Sequence, residues 1–141
     1  MNANSSEKSM MAFVEELNEN KKSPMGLWLC GRIMNVNCDS LIMEFLTRKE
    51  MTDESGQMHG GIISTLIEEV INLMVNSSCI DIQWRCSDLN VKFVHTIDLG
   101  QNVRVEAFVN PESSVKMHAE AKVYDSRREL IAYGSVRLKR A

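Results

Sequence analysis

The stretch that decides the fold is residues 58–69, which read Met-His-Gly-Gly-Ile-Ile-Ser-Thr-Leu-Ile-Glu-Glu. Two glycines stand directly before an apolar helix, so backbone N–H groups without side-chain cover lie at the helix start. Such N–H groups have no partner within the helix and lie at the positive end of its dipole, where an oxyanion can bind. An oxyanion site and a carboxylate, here Glu68 or Glu69, are the two parts that an acyl-transfer hydrolase needs. The alternative is a glycine-rich loop before a core helix whose acids face water.

The residues after the glycines predict a long central helix over about residues 60–77. At 100° per residue, its apolar side chains cover more than half of the helical wheel, and a helix that apolar is buried on several sides. These side chains are Ile62, Ile63, Leu66, Ile67, Val70, Ile71, Leu73, Met74 and Val75. We therefore expect a sheet wrapped around the helix, or a partner packed against it.

The rest of the chain predicts strands. Residues 26–36 and 40–48 resemble a hairpin with a turn at 37–39, and residues 49–58 form a polar loop. After residue 78 apolar side chains recur at every second position, which indicates strands over about 89–93, 103–109, 117–123 and 130–139, with turns at 100, 110–113 and 125–128. Because short links connect five or six strands and no helices alternate with them, the sheet is predicted to be antiparallel.

The N-terminal region predicts a short helix of its own. Ser5 and Ser6 can cap a helix over residues 7–19, and the following polar break ends near Pro24. At 141 residues the chain predicts a single α+β domain over 1–141, with residues 1–24 as its N-terminal helix and linker.

The composition excludes several classes of function. A net charge of −3 and scattered basic residues argue against a nucleic-acid partner. No apolar run is long enough to span a membrane. Residues 1–20 carry acids and lack an apolar signal core, so we expect a cytoplasmic protein. The cysteines form no C-x-x-C pair and the histidines are not spaced with them, so no metal site is expected.

The layout resembles the hotdog fold, in which an antiparallel sheet wraps a central helix. Met58-His59-Gly60-Gly61 with the acid Glu68 resembles the acyl-CoA thioesterases of the phenylacetate-pathway and 4-hydroxybenzoyl-CoA type. Asp88-Leu89-Asn90-Val91-Lys92-Phe93 followed by Leu99-Gly100 resembles that family's strand after the helix. The resemblance runs from about Asp53 to Arg137. It implies hydrolysis of an acyl-CoA thioester to free acid and coenzyme A, without a metal or organic cofactor.

The resemblance also implies site residues. The N–H of Gly60 would polarise the thioester carbonyl, with Gly61 beside it as a substrate contact, and Glu68 would act as nucleophile or as general base for water. The helical wheel does not separate Glu68 from Glu69, so only the resemblance selects Glu68. In the family, the histidine matching His59 shapes the glycine loop or orients the thioester; we favour a structural role as a cap of the loop.

Further candidates are less sharply defined. Asp53 stands where the family usually has Asn or Gln, and an ionised carboxylate cannot donate a hydrogen bond. It is therefore either a second acid that binds water or a loop residue. Cys86 and Ser87 fall where some members place a Ser or Thr that helps to bind water, and the sequence does not tell which points inward. Lys92 is a candidate contact for the phosphates of coenzyme A, as are Lys116, Arg127 and Arg128.

The spacing of the two catalytic candidates predicts an oligomer. Nine helical residues rise ~13 Å, so His59-Gly60 and Glu68 of one chain cannot both touch one carbonyl carbon. The family implies the same arrangement, a site shared between two subunits. We therefore expect a homodimer or a homotetramer built as a dimer of dimers, with Gly60 of one chain facing Glu68 of the other.

Two other functions remain open at this point. One is a hotdog hydratase or dehydratase, whose chemistry commonly pairs a histidine with an acid in a differently placed motif. The other is a non-catalytic acyl-CoA binding protein. The His-Gly-Gly arrangement favours hydrolysis over both.

Overall fold

The part of the chain that the computed structural model describes comprises residues 14–15, 23–37, 39–76, 83–111 and 115–141. Its elements in chain order are α1 (Pro24–Leu29), β1 (Arg32–Val36), β2 (Ser40–Leu46), a 3₁₀ helix (Lys49–Met51), α2 (Gly60–Asn76), β3 (Trp84–Phe93), β4 (Asn102–Pro111), β5 (Lys116–Tyr124) and β6 (Leu130–Arg140). The central helix predicted over residues 60–77 is confirmed as α2. The strands predicted after it are confirmed as β3 to β6.

The six strands form one sheet in the order β1-β2-β4-β5-β6-β3. Every neighbouring pair is antiparallel, which confirms the predicted sheet type. The helix α2 packs against one face of this sheet and contacts β2 to β6. Strand β1 lies at one edge and β3 at the other, so β3 has a strand partner on one side only within the described residues.

Small residues at the centre of the sheet let α2 approach closely. Ala107, Ala121 and Gly134 stand side by side on β4, β5 and β6. A Cβ added to Gly134 would lie 3.2 Å from both Cδ1 and Cγ2 of Ile67 on α2, which is tighter than ordinary van der Waals contact. Seven apolar side chains of α2 are buried, and each stabilises the fold by about 1.5–3 kcal/mol relative to exposure.

The prediction that the first hairpin strand begins near residue 26 is wrong, because residues 24–29 form the helix α1. Ser23 caps this helix by accepting a hydrogen bond from the Gly26 N–H at 3.2 Å, and Pro24 stands at its first turn, where a missing N–H is tolerated. The helix ends at Cys30, whose φ of 55° is left-handed. The hairpin itself is confirmed, with Arg32–Val36 paired to Ser40–Leu46.

Strand β3 contains a β-bulge at Ser87. Cys86 pairs with Leu138 and Asp88 with Arg137, so Ser87 is an extra residue without a partner in the register. A bulge shifts the alternation of side chains by one position. Consequently the residues of β3 on the α2 side are even-numbered before the bulge and odd-numbered after it: Trp84, Cys86, Leu89, Val91 and Phe93.

The helix predicted over residues 7–19 lies outside the described residues, except for Val14 and Glu15. Both of these are helical, and Val14 packs against the core. Most of the predicted linker that ends at Pro24, and parts of the turns at 37–39 and 110–113, also lie outside. No helix in the described ranges is both long enough and apolar enough to cross a membrane.

Candidate active site

The loop before α2 is held by the carboxylate of Asp53. One of its oxygens accepts hydrogen bonds from the Ser55 N–H at 2.9 Å, the Ser55 hydroxyl at 2.6 Å and the Gln57 N–H at 3.2 Å. These bonds, led by that of the Ser55 hydroxyl, lower the pKa of Asp53 below its ordinary value, and the nearby His59 adds to the effect. Asp53 is thus an exposed loop residue that favours the ionised, acceptor-only form.

His59 joins this loop to α2. Its N–H donates to the Met51 carbonyl at 2.8 Å, and its own carbonyl accepts from the N–H groups of Ile62 and Ile63. Its ring Nδ1 accepts a hydrogen bond from the Gly61 N–H at 2.9 Å. This is the geometry of a helix cap, and it engages the Gly61 N–H that the sequence suggested as a substrate contact.

Gly60 carries the N–H group at the start of α2 that has no hydrogen-bond acceptor in the described part of the chain. The ring of Phe93, at the end of β3, lies against this glycine. A Cβ added to Gly60 would lie 3.4 Å from Cζ and 3.5 Å from Cε1 of that ring. Phe93 remains 54% exposed. Sequence reasoning did not single out Phe93 as a site residue, because alternation along β3 gives its face of the sheet but not its contact with Gly60.

Tertiary contacts separate Glu68 from Glu69. The Glu69 carboxylate accepts a hydrogen bond from the Ser23 hydroxyl at the start of α1, and its Oε2 lies 3.7 Å from the position of a Cβ on Gly26. Burial raises the pKa of Glu69 above its ordinary value of 4.5, against the Ser23 hydrogen bond, and the charge of Glu68 raises it further. Glu69 therefore serves the contact between α1 and α2.

Glu68, unlike Glu69, affects the pKa of the Cys86 thiol on β3. Burial raises the pKa of Cys86, and the negative charge of Glu68 is the next largest cause. Cys86 is a free, partly buried cysteine whose Sγ lies 3.7 Å from the Asp88 carbonyl oxygen. Ser87 is exposed, and its hydroxyl donates to the Arg137 carbonyl at 3.1 Å. Of the two candidates, Cys86 is the one on the α2 side of β3.

Lys92 does not lie with these residues. It points to the sheet face turned away from α2, where its ammonium group lies 6.0 Å from the centroid of the Tyr133 ring. It lines a shallow cavity of about 330 Å³ on that face, together with Glu120 and Lys122. Across the described ranges, no three His, Cys, Asp or Glu side chains lie close enough together to hold a metal ion.

Solved structures with this architecture come from bacteria and vertebrates. The PaaI protein of the phenylacetic acid degradation operon of E. coli matches with a TM-score of 0.81 at 14% identity, over 94% of this chain and 93% of that one. Thioesterase superfamily member 2 from Mus musculus matches with a TM-score of 0.79 at 16% identity, over 94% and 96%. A Streptococcus mutans protein bound to acetyl-CoA matches with a TM-score of 0.73 at 12% identity, over 79% and 88%. At these identities the likeness shows the fold.

The sequence itself matches a family model. No curated protein matches the chain by sequence. Residues 55–132, more than half of the chain, match the model of the thioesterase superfamily, and this range includes the His-Gly-Gly segment, α2 and strands β3 to β5. The chain therefore belongs to the thioesterase superfamily and has the hotdog fold that its sequence predicted.

Proposed function

We propose that this protein hydrolyses an acyl-CoA thioester to a free acid and coenzyme A. The observation that carries the proposal is the Gly60 N–H, which stands at the positive end of the α2 dipole without an acceptor among the described residues. Membership in the thioesterase superfamily supports a thioester as the substrate class. The Streptococcus mutans neighbour, which binds acetyl-CoA, supports a coenzyme A thioester in particular.

The chemistry follows from two groups. The Gly60 N–H donates a hydrogen bond to the thioester oxygen and stabilises the negative charge that develops there. Glu68 either attacks the carbonyl carbon or takes a proton from the water that attacks it. The tetrahedral intermediate then expels the coenzyme A thiolate, which takes up a proton. If water attacked, this leaves the free acid; if Glu68 attacked, it leaves an anhydride of the acyl group with Glu68, which water hydrolyses to the free acid and the Glu68 carboxylate. A thioester is already an activated acyl group, so this route needs no cofactor.

One chain cannot supply both groups to the same carbon. Gly60 and Glu68 lie eight residues apart on the continuous helix α2, which is a rise of ~12 Å. Reacting groups must approach to about 3–3.5 Å. The complete site therefore needs a second copy of the chain, in a homodimer or a dimer of dimers.

The edge strand β3 supports a particular pairing of the two copies. Its ten residues, Trp84–Phe93, present one unpaired edge within the described structure, and such an edge favours pairing with another strand. A two-fold axis would pair β3 with its own copy in antiparallel fashion. Phe93 at one end lies against Gly60, and the charge of Glu68 raises the pKa of Cys86 near the other end. Antiparallel pairing would thus bring Gly60 of one chain toward the partner's Glu68.

A panel of acyl-CoA substrates, followed by the release of free thiol, tests the reaction. We expect Glu68→Gln to lower kcat by about 10²–10⁴-fold, the usual contribution of a general base. Glu69→Gln is the matched control, because Glu69 is the next residue and is also an acid, but it contacts Ser23. We expect this variant to stay near wild-type activity. Hydration of an unsaturated acyl-CoA without thiol release, or saturable binding without turnover, would contradict the proposal.

Mixed dimers test whether the site is shared. Co-expression of a Glu68→Gln chain with a Gly60→Pro chain gives heterodimers in which one of two sites keeps both groups. If pairing is random, about a quarter of wild-type activity should return, although each variant alone is inactive. Activity that stays at the level of the separate variants would show that each site belongs to one chain.

A further inference from the structure

We propose that Phe93 contacts the acyl group of the bound thioester and selects for apolar acyl groups. This inference rests on the proposed function and adds a specificity residue to it. The reaction proposed above gives this side chain no role. The structure nevertheless places it beside Gly60.

The position of the ring is fixed by its strand and by a missing side chain. The bulge at Ser87 turns the odd-numbered end of β3 toward α2, and Phe93 is the last residue of the strand. Because Gly60 has no Cβ, the ring lies directly against its backbone, with three ring carbons 3.4–4.0 Å from where a Cβ would be. The ring tip and the Gly60 N–H therefore border the same space.

A substrate in that space would touch the ring. An N–H···O hydrogen bond is ~2.9 Å long, so a carbonyl oxygen bound by Gly60 holds its carbon a few ångströms from the ring tip. The first carbons of the acyl group are bonded to that carbonyl carbon. In the proposed dimer the ring also lies at the interface between the two chains, between Gly60 and the partner's Glu68.

The chemistry of the ring indicates what it would bind. Phe93 is 54% exposed, whereas apolar side chains on the α2 side of β4, β5 and β6, such as Val105, Ala121 and Val136, are almost completely buried. The uncovered part of the ring offers apolar area and no hydrogen-bonding group. Alkyl and aromatic acyl carbons gain from covering it, since removing apolar area from water is favourable. An acetyl group has one methyl group to offer and gains least.

The test compares substrates of different acyl size on the same variant. We expect Phe93→Ala to lower kcat/KM for a long-chain or aromatic acyl-CoA about tenfold or more, the lower range for lost apolar pocket contacts. The loss should appear mainly in KM, because the contact exists in both the ground state and the transition state. Acetyl-CoA should change little, and Phe93→Leu should recover part of the loss for the larger substrates.

Leu46→Ala is the matched control, because Leu46 is 51% exposed at the end of β2 and lies outside the proposed site. We expect it to keep the wild-type ratio between large and small substrates. Thermal unfolding of each variant shows whether the fold is retained; a folding defect lowers activity on all substrates alike and does not change their ratio.

Two results would overturn the inference, and they are distinguishable. If the wild-type protein hydrolyses the panel but Phe93→Ala leaves the ratio between large and small acyl groups unchanged, Phe93 does not select the acyl group and the proposed function stands. If the wild-type protein hydrolyses no acyl-CoA, the proposed function fails and this inference fails with it.

Discussion

The N–H group of Gly60 can be removed by a substitution that still allows residue 60 to begin the helix α2. Gly60→Pro deletes the N–H, and proline is tolerated at the first position of a helix because that N–H has no helical partner. Gly60→Ala keeps the N–H and adds a Cβ. That Cβ would lie 3.4–4.0 Å from the Phe93 ring, which is ordinary van der Waals contact, and the glycine does not occupy the left-handed region. The two variants thus differ mainly in the donor.

The expected loss of kcat in Gly60→Pro follows from the number of free N–H donors at the start of α2. The Gly61 N–H is bound to Nδ1 of His59 at 2.9 Å, and the N–H groups of Ile62 and Ile63 are bound to the His59 carbonyl. Gly60 therefore supplies the one unbound N–H among these four. Loss of one oxyanion donor usually costs ~3 kcal/mol, a reduction in kcat of about 10²–10³-fold. Gly60→Ala should retain most activity and should not lower stability, since alanine is the better helix former.

Steady-state hydrolysis of acyl-CoA, with thermal unfolding measured on the same samples, checks this prediction. The expected result is a folded Gly60→Pro variant with strongly reduced kcat beside an active Gly60→Ala variant. If folded Gly60→Pro hydrolyses thioesters at the wild-type rate, the Gly60 N–H is not the oxyanion donor. If both variants are equally inactive, the loss arises from added bulk beside Phe93 rather than from the donor.

Three further predictions concern stability and thiol reactivity. Gly31→Ala should lower the free energy of unfolding in urea by about 3 kcal/mol or more, because its Cβ would lie 2.1 Å from Cε1 of the buried Phe45. Burial raises the pKa of Glu69, so its contribution to stability is complete below pH 4.5 and is lost as the pH rises through the raised pKa; Glu69→Gln should flatten this part of the stability–pH curve. Glu68→Gln should speed alkylation of Cys86 at a fixed, mildly alkaline pH, because it removes a charge that raises the thiol pKa.

Each of these has an outcome that contradicts it. Gly31→Ala with wild-type stability would mean that Phe45 moves aside freely. A Glu69→Gln curve parallel to that of the wild type would mean that Glu69 titrates alike in the folded and unfolded states. Unchanged alkylation of Cys86, with the exposed Cys30 as internal reference, would place Glu68 too far away to act on it.

The central helix and the antiparallel sheet could be predicted because their patterns are local. An apolar stripe at helical spacing defines α2 within one residue of its observed end, and alternation defines β4 and β5. The order of strands in the sheet is not local: β4 lies between β2 and β5, and β3 lies beyond β6. That order depends on which strand edges meet in three dimensions.

The error at residues 26–29 arose from reading an apolar run as a strand. Leu27, Trp28 and Leu29 have the composition of either element, and a run so short has no clear period. The deciding feature was the pair Ser23-Pro24, which begins a helix through a side-chain cap and a fixed φ.

The site could be predicted as a motif but not as a geometry. The His-Gly-Gly segment locates the amide donors, yet only the hydrogen bond from Gly61 to the His59 ring shows which of them remains unbound. The wheel leaves Glu68 and Glu69 equivalent, and the contact of Glu69 with Ser23 on another helix separates them. Lys92 lies on the far face of the sheet from the amide, which agrees with its alternation with Val91 and Phe93 in the sequence and not with a role at the site.

The extra residue at position 87 reverses the side-chain alternation for the rest of the strand. Cys86 and Phe93 are seven positions apart, an odd interval that in a regular strand would send them to opposite faces of the sheet. Because Ser87 is inserted, the thiol of Cys86 and the ring of Phe93 lie on the same face of the sheet, the one that packs against α2. In a strand without this insertion the two positions would be six apart, an even interval that keeps both side chains on one face of the sheet.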